Sequence, residues 1–339
     1  MKNVLVITGG GSGMGLEAAK LTPKEKIVVI SGRTESKLQN ALKELKELGL
    51  EAYAFACDTS KRESVKALAE YAKSLGEIKN VINAAGVSPA MHVTPEEILR
   101  INALGTVYVN QEFSKLMNPG SVIVDVSSNS AYTLPSFFIP KKKYPLAETD
   151  ENKFIATILK KTKLVKDPYM KNGMAYAFSK NFVCWYAQKS AFDLGLKGIR
   201  VVSLSPGLIG TSMGNLEKES GGFLIAFSAE ERMGKPEELG YALATLADER
   251  NGYLAGVDVL CDGGSTYGLK EFKKYKKKKW KKLRNSYISN TKFNKKNRVF
   301  SILLFLWVLK NPIKSHLFFK KTVKYPLFFT IIGINSFYS

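Results

Sequence analysis

Two residues in the segment NGMAYAFSKNF (172–182), Tyr176 and Lys180, have types and a spacing that suit proton transfer. Residues four apart lie on the same face of a helix, where a lysine ammonium stabilises a tyrosinate. A free tyrosine has a pKa of about 10, too high for efficient proton transfer near neutral pH unless a positive charge lowers it. The same spacing is also typical of a partly buried ring beside a solvated amine. A catalytic interpretation therefore needs partners elsewhere in the chain.

A glycine-rich turn near the N-terminus predicts a nucleotide-binding site. The segment TGGGSGMG (8–15) follows an apolar, strand-like run, NVLVI (3–7), and precedes a predicted helix. Glycines in that position let the backbone approach a pyrophosphate, which the free N–H groups and the dipole of the helix stabilise. We predict a dinucleotide cofactor here, with a merely structural turn as the alternative.

The end of the second predicted strand indicates which nicotinamide cofactor is bound. Gly32 stands where an NAD-preferring site would place a carboxylate for the ribose 2′-hydroxyl, and Arg33 follows it. A carboxylate would repel a 2′-phosphate, whereas a guanidinium binds one through two parallel hydrogen bonds. The pattern favours NADP(H), with NAD(H) as the second choice. The alternative is that Arg33 is a solvated loop residue.

The elements that must position these residues alternate between strand and helix. Seven short runs are almost continuously apolar, as strands buried on both faces are: residues 3–7, 27–31, 52–56, 81–85, 121–127, 200–205 and 256–261. Segments 36–49 and 62–76 have apolar residues at helical spacing and end at a glycine. The alternation predicts an α/β, Rossmann-like doubly wound fold, with a mostly parallel seven-stranded sheet and helices on both faces, in one domain over residues 1–268.

Further motifs occur in the order in which one enzyme family carries them. They are CDTS (57–60), NAAG (83–86), INALG (101–105), VSSNS (126–130), YAFSK (176–180) and SPGLIGT (205–211). With the glycine turn, they make residues 1 to 268 resemble the short-chain dehydrogenase/reductase family in its single-domain form. The resemblance implies an NAD(P)-dependent oxidoreductase that acts on CH–OH groups.

The resemblance also implies a catalytic tetrad. Tyr176 would be the general acid or base, and Lys180, with the oxidised nicotinamide, would lower its pKa and hold the nicotinamide ribose. Ser128 would orient the substrate oxygen, and Asn102 would support a water-linked proton path behind Lys180. Ser128 is preferred to Ser127 because it aligns with the second serine of the family's strand-end pair. Structural roles in a turn and in a helix are the alternatives for Ser128 and Asn102.

Cofactor contacts are implied by the same resemblance at the glycine turn, after the following strands and in the Pro-Gly segment. These residues are Gly9, Ser12, Gly13, Met14, Arg33, Asp58, Thr59, Asn83, Ala84, Gly86, Tyr176, Lys180, Pro206, Gly207, Ile209 and Thr211. Asp58 would contact the adenine, and segment 205–211 would embrace the nicotinamide. We also expect a homo-oligomer, a dimer or a tetramer.

An insertion over residues 131–173 separates Ser128 from Tyr176 and resembles that of the 3α-hydroxysteroid dehydrogenase/carbonyl reductase branch. Asp150 and the apolar residues after it predict a capped helix in its middle. The family's substrate lid would fall at residues 212–234. Apolar residues in both segments suggest a hydroxysteroid or another bulky hydrophobic carbonyl as substrate: Phe137, Phe138, Met213, Phe223 and Leu224. The alternative is that these side chains pack against one another. A 3-ketoacyl thioester reductase is the alternative, whereas the Tyr-to-Lys spacing argues against an enoyl reductase.

The positive charge of the chain is concentrated in residues 269–339, a tail that departs from the family. The tail has 19 Lys and Arg residues and one acid, Glu271, and so carries most of the net charge of +21. Its apolar run at 299–309 is shorter than the roughly 20 residues that span a bilayer. We expect the tail to lie outside the domain and to be disordered or without function. Contact with an anionic membrane surface or nonspecific binding of nucleic acid is the alternative, and a non-catalytic binding protein would use either.

The cysteine and histidine content excludes several kinds of site. Cys57, Cys184 and Cys261 are odd in number and form no close pair, which argues against a disulfide framework and a zinc site. Two histidines, His92 and His316, give poor support to a hydrolase triad or a multi-histidine metal site. We expect no metal. A reducing cytoplasm fits this cysteine content best. The N-terminal sequence also passes directly from Met into a strand-like run, which leaves no room for a signal peptide.

Overall fold

The computed structural model describes residues 1–272 and 274, with the backbone alone at residues 218–221 and 223. Met1–Phe272 form one compact unit. Most of the predicted tail, residues 273 and 275–339, lies outside the described residues. What the sequence predicts for the tail therefore stays a prediction.

One parallel sheet of seven strands occupies the centre of this unit, in the order β3-β2-β1-β4-β5-β6-β7. The strands are β1 (Asn3–Thr8), β2 (Ile27–Gly32), β3 (Glu51–Ala56), β4 (Glu77–Asn83), β5 (Val122–Val126), β6 (Arg200–Pro206) and β7 (Asp258–Cys261). The predicted Rossmann-like sheet is confirmed. Strand β4 begins at Glu77, before the predicted residue 81. The prediction missed this start because the charged Glu77 and Lys79 flank Ile78 and break the apolar run on which it depended.

Helices cover both faces of the sheet. They are α1 (Gly13–Lys20), α2 (Glu35–Glu47), α3 (Arg62–Leu75), α4 (Pro95–Leu99), α5 (Gly105–Ser114), α6 (Leu146–Thr149), α7 (Glu151–Thr162), α8 (Pro168–Gly195), α9 (Ser212–Gly221) and α10 (Pro236–Ala247). A π-helical turn, Arg100–Leu104, joins α4 to α5. Short 3-10 turns lie at Pro89–Met91, Asn129–Tyr132, Ser136–Phe138, Lys141–Lys143 and Gly222–Phe227, and residues 265–272 are also helical.

Alternate residues of each strand supply two hydrophobic cores, one on either side of the sheet. Val6 of β1 belongs to the core beneath α3, α5 and α8, whereas the next residue, Ile7, belongs to the core on the opposite face. Both side chains are fully buried. Burial on both faces explains why the strands are apolar throughout rather than alternating.

The insertion packs on the outer face of α5 and α8. The ring of Tyr144, which is fully buried, lies 5.2 Å from that of Phe182, and the ring of Phe154 lies 5.1 Å from the same phenylalanine. The predicted capped helix is present as α7, where Asp150 Oδ1 accepts a hydrogen bond from Lys153 N at 2.9 Å. The insertion therefore extends the hydrophobic core instead of forming a loose loop.

Candidate active site

Helix α8 carries Tyr176 and Lys180 into the interior of the domain. Asp167 caps its N-terminus by accepting a hydrogen bond from Met170 N at 2.8 Å, and Pro168 occupies the first helical position. Lys180 Nζ lies 5.8 Å from the centre of the Tyr176 ring, so the two groups share one face of the helix. The sequence spacing predicts this arrangement.

The ammonium group of Lys180 is buried, with 5% of the residue exposed. Its Nζ donates a hydrogen bond to the carbonyl oxygen of Val126, the last residue of β5, at 2.9 Å. Burial lowers the pKa of Lys180 to about 8, although the negative charges that Cys184, Glu217 and Asp125 carry when ionised act in the opposite direction. The group is thus close to its titration point near neutral pH and is suited to proton relay.

Asn102 lies behind Lys180 in the π-helical turn and does not line the cavity. Its Oδ1 accepts a hydrogen bond from Val87 N, and its Nδ2 donates one to Val87 O, both at 2.9 Å. A Cβ at Gly86 would lie 3.2 Å from Asn102 Oδ1 and 3.5 Å from Lys180 Nζ. Glycine at this position therefore lets the loop after β4 approach both side chains. The water-linked proton path through Asn102 stays a prediction.

Ser128 and Ser127 follow β5 and have different surroundings. The Ser128 hydroxyl accepts a hydrogen bond from Ser130 N at 3.1 Å and faces Tyr176, whose pKa it lowers by hydrogen bonding. Ser127 instead donates its hydroxyl to Lys180 O at 2.7 Å and accepts from Cys184 Sγ at 3.1 Å. These contacts support Ser128 as the residue beside the substrate and give Ser127 a structural role.

Burial keeps the phenol of Tyr176 protonated. Burial raises its pKa above the ordinary value, the Glu217 carboxylate adds to this effect, and the hydrogen bond with Ser128 opposes it. The pKa of Tyr176 is therefore raised within the protein's own groups, whereas the sequence predicts a lowering by Lys180. The further lowering expected from an oxidised nicotinamide remains a prediction. A protonated phenol beside a serine hydroxyl can donate a proton to a carbonyl oxygen.

The glycine turn between β1 and α1 fits a dinucleotide. Gly9 and Gly13 have φ values of +70° and +59°, which residues other than glycine rarely adopt. A Cβ at Gly9 would lie 2.9 Å from the backbone of Ala84, and one at Gly15 would lie 2.6 Å from Gly9 O. The turn is therefore pressed against the loop after β4, with the first N–H groups of α1 free to bind phosphate.

The other predicted cofactor residues lie at the carboxyl edge of the sheet. Arg33 follows β2 and is exposed, Asp58 and Thr59 follow β3, and Ser12 is exposed at the start of α1. Seven of the predicted residues line one cavity together with Ser128, Tyr176 and Lys180: Met14, Ala84, Gly86, Pro206, Gly207, Ile209 and Thr211. One edge thus brings the glycine turn, the Pro-Gly segment and three of the four tetrad residues together.

Asn83 belongs to a buried polar network that the sequence analysis missed. Its Oδ1 accepts from Thr8 Oγ1 at 2.8 Å, and its Nδ2 donates to Asp125 Oδ1 at 2.9 Å. Asn110 Nδ2 also donates to Asp125, at 2.9 and 3.0 Å. Burial raises the pKa of Asp125 to about 6 against these hydrogen bonds. The signal was present, because Asp125 is the one charged residue in the apolar run SVIVDVS.

The cavity has a volume of about 260 Å³, and only part of the insertion reaches it. Thr133, Tyr169 and Gly173 contribute to its wall, together with Met213 and Leu224 from the lid segment. The two phenylalanines proposed from the insertion do not: the side chain of Phe137 is 88% exposed, and that of Phe138 stacks on Phe178 at 5.7 Å. The Phe223 side chain lies outside the described atoms.

The part of the chain that the structure describes contains no group of three or more His, Cys, Asp or Glu residues arranged to hold a metal ion. None of its helices is both long and apolar enough to cross a membrane.

Comparison with known families identifies the class. A family profile described as "short chain dehydrogenase" matches residues 3–139, and one described as "Enoyl-(Acyl carrier protein) reductase" matches residues 145–266. The chain belongs to the short-chain dehydrogenase/reductase family and is an NAD(P)-dependent oxidoreductase that acts on CH–OH and carbonyl groups.

Individual relatives match this chain over almost their whole length. A short-chain dehydrogenase/reductase of Alternaria brassicicola, bsc3, is 29% identical over 78% of this chain and 96% of its own. The 7α-hydroxysteroid dehydrogenase of Escherichia coli K12 is 26% identical, over 78% and 94%. A Burkholderia cenocepacia short-chain dehydrogenase, solved in complex with NADP, has a TM-score of 0.61 at 21% identity over 77% and 96%, which shows the shared fold.

Proposed function

We propose that this protein is an NADP(H)-dependent oxidoreductase that interconverts a secondary alcohol and a ketone, with a hydroxysteroid or another hydrophobic carbonyl compound as substrate. The observation that carries the proposal is the shared cavity, whose wall includes Ser128, Tyr176 and Lys180 as well as residues 206–209 of the Pro-Gly segment. When bound, the cofactor supplies the hydride. Tyr176 supplies the proton and Ser128 orients the oxygen, while Lys180 holds the nicotinamide ribose.

The preference for NADP(H) is supported by the end of β2. Its last residue, Gly32, has no side chain to repel a phosphate, and the exposed Arg33 that follows can bind one. Asp58, after the neighbouring strand β3, has its Oδ1 engaged by Ser60 N at 3.0 Å and Ser60 Oγ at 2.7 Å. A related fold from Burkholderia cenocepacia was solved with NADP, which agrees with the proposal.

The hydrophobic substrate is supported by apolar residues in the wall of the cavity. Pro89, Leu208, Met213 and Leu224 are among the residues that line it. The Escherichia coli relative is a hydroxysteroid dehydrogenase. A substrate with an apolar skeleton would bury that skeleton against these residues and direct its carbonyl oxygen towards Ser128 and Tyr176.

Absorbance at 340 nm tests the proposal directly. Purified protein would be incubated with NADPH or NADH and a panel of ketosteroids, cyclic ketones and 3-ketoacyl thioesters. We expect NADPH oxidation with at least one ketone and a loss of about 100-fold or more in kcat for Tyr176→Phe. Tyr267→Phe alters an exposed tyrosine and is the matched control. Absence of oxidation across the whole panel, or full activity of Tyr176→Phe, would overturn the proposal.

We further propose a homo-oligomer in a reducing cytoplasm. The three cysteines are free thiols, and Cys57 and Cys184 are buried, which agrees with a reducing compartment. Light scattering coupled to size-exclusion chromatography would measure the assembly, and a monomer at micromolar concentration would contradict this part of the proposal.

A further inference from the structure

Glu217 is a carboxylate in the active-site cavity that the tetrad does not explain. It belongs to α9, in the segment where the family's lid falls, and it lines the same cavity as Tyr176 and Lys180. Among the described residues lining this cavity, Glu217 supplies the one carboxylate and Lys180 the one amine. Neither hydride transfer nor proton donation by Tyr176 requires an acid there.

Local contacts hold Glu217 in this position. Thr211 caps the start of α9, since its Oγ1 accepts a hydrogen bond from Gly214 N at 3.1 Å and its carbonyl accepts one from Asn215 N at 2.9 Å. A Cβ at Gly214 would fall 1.8 Å from Ile209 O, so the helix begins in direct contact with the Pro-Gly segment. The placement of Glu217 is therefore tied to the backbone that lines the cofactor side of the cavity.

Glu217 lines the same cavity as Tyr176 and Lys180 and is coupled to both by electrostatics. Burial raises the pKa of Glu217, whereas the neighbouring Ser88 hydroxyl and the Lys180 ammonium lower it. The carboxylate in turn raises the pKa of both Tyr176 and Lys180. A carboxylate can accept several hydrogen bonds at once, so contacts with the protein leave Glu217 able to accept another from a substrate hydroxyl in the cavity.

We propose that Glu217 is a specificity-determining residue that accepts a hydrogen bond from a second hydroxyl group of the substrate, away from the reacting carbonyl. This rests on the proposed function, which places that carbonyl at Tyr176. Lys180 already supplies a positive charge to the cavity, which favours a neutral hydroxyl over an ammonium as the donor. A carboxylate on the substrate would be repelled. The preferred substrates are thus hydroxylated ketones and the corresponding diols.

A matched series of cyclic ketones tests this inference. Cyclohexanone, 3-hydroxycyclohexanone, 4-hydroxycyclohexanone and 4-oxocyclohexanecarboxylate would be compared by kcat/KM with NADPH. We expect wild-type protein to prefer at least one hydroxylated ketone to cyclohexanone by about 10-fold or more, mainly through KM, because the hydrogen bond is made in ground and transition states alike. The carboxylated ketone should be the poorest substrate.

Glu217→Leu removes the acceptor and the charge. Relative to cyclohexanone, it should abolish the preference for the hydroxylated ketone and improve use of the carboxylated one. The comparison uses ratios of kcat/KM within each protein, because loss of the Glu217 carboxylate also changes the pKa of Tyr176 and Lys180. Asn215→Ala changes an exposed residue of the same helix and should keep the wild-type order of substrates. Equal use of cyclohexanone and both hydroxylated ketones by wild type, or an unchanged preference in Glu217→Leu, would overturn the inference.

Binding without turnover separates this inference from the proposed function. Saturation-transfer NMR would compare the signals of 4-hydroxycyclohexanone and cyclohexanone in competition, with wild type and with Glu217→Leu. If no ketone is reduced, the proposed function fails, and a hydroxyl-dependent signal lost in Glu217→Leu still supports recognition by Glu217. Equal signals from the two proteins would overturn the inference whatever the activity.

Discussion

Lys180 Nζ donates a hydrogen bond to Val126 O at 2.9 Å, and the Ser127 hydroxyl donates to Lys180 O at 2.7 Å. These two bonds join α8 to the end of β5. They keep Tyr176 next to Ser128 even though the whole insertion separates the two residues in sequence. The insertion can therefore be long without disturbing the site, because it leaves β5 and returns to α8 on the outside of this junction.

Lys180→Met should lower kcat by about 100-fold or more, since it removes the cation that serves proton relay and cofactor binding.

The buried ammonium of Lys180 also makes stability depend on pH. Its folded-state pKa is lowered to about 8, whereas in the unfolded chain it has the ordinary lysine value of 10.5. Between these values the unfolded chain binds more protons, so the free energy of unfolding of wild type rises with pH.

Urea unfolding at two pH values isolates this effect. Without added cofactor, the free energy of unfolding of wild type relative to Lys180→Met should rise by about 2 kcal/mol between pH 7.5 and pH 9.5. Subtracting the free energy of unfolding of Lys180→Met from that of wild type cancels the titrations common to both proteins. Individual variants should check three groups whose titration is coupled to Lys180: Cys184, Glu217 and Asp125. A difference independent of pH would contradict the assignment of a depressed lysine pKa.

Arg33→Asp should reverse the cofactor preference. The substitution replaces a phosphate-binding guanidinium by a carboxylate that repels the 2′-phosphate and can accept the 2′-hydroxyl of NADH. We expect kcat/KM to fall by about 10-fold or more for NADPH and to rise for NADH. Arg33→Ala is the control at the same position, and should weaken NADPH without improving NADH. Unchanged selectivity in Arg33→Asp would refute the role of Arg33.

Asp125→Asn should destabilise the domain by about 2–4 kcal/mol, because a side-chain amide would present N–H groups to a site where Asn83 and Asn110 already donate. The measurement is urea unfolding at pH 7. Asp150→Asn is the matched control, since asparagine caps a helix as well as aspartate does, and it should stay within about 0.5 kcal/mol of wild type. Equal effects of the two variants would rule out a special role for the buried carboxylate.

Removing residues 275–339 should leave kcat within about twofold of wild type, because the catalytic and cofactor residues all precede this segment. Removing residues 269–339 also deletes Phe272, whose ring lies 5.1 Å from that of Phe227 in the lid segment. We expect this longer deletion to lower the melting temperature by several degrees, as loss of an aromatic pair of about 1 kcal/mol would. Activity lost already on removal of residues 275–339 would show that the tail belongs to the catalytic unit.

Several features followed from local sequence alone. Apolar runs predicted the seven strands, and glycines at positions 9 and 13 predicted the turn where the structure has positive φ. Four-residue spacing predicted that Tyr176 and Lys180 share a helical face. These features depend on periodicity and backbone conformation, which short segments encode. The early start of β4 was missed because its first residues are partly charged.

Other features were decided by packing between distant segments. No sequence pattern indicated that the insertion would pack on α5 and α8, leaving Phe137 exposed and placing Phe138 against Phe178. Nor did any pattern bring Glu217 beside Tyr176, or join Asp125 to Asn83 and Asn110. Local sequence encodes the sheet, the glycine turn and the Tyr176–Lys180 pair, because each arises from neighbouring residues. The wall of the cavity and the charges around it depend on tertiary packing, because burial and long-range contacts set both.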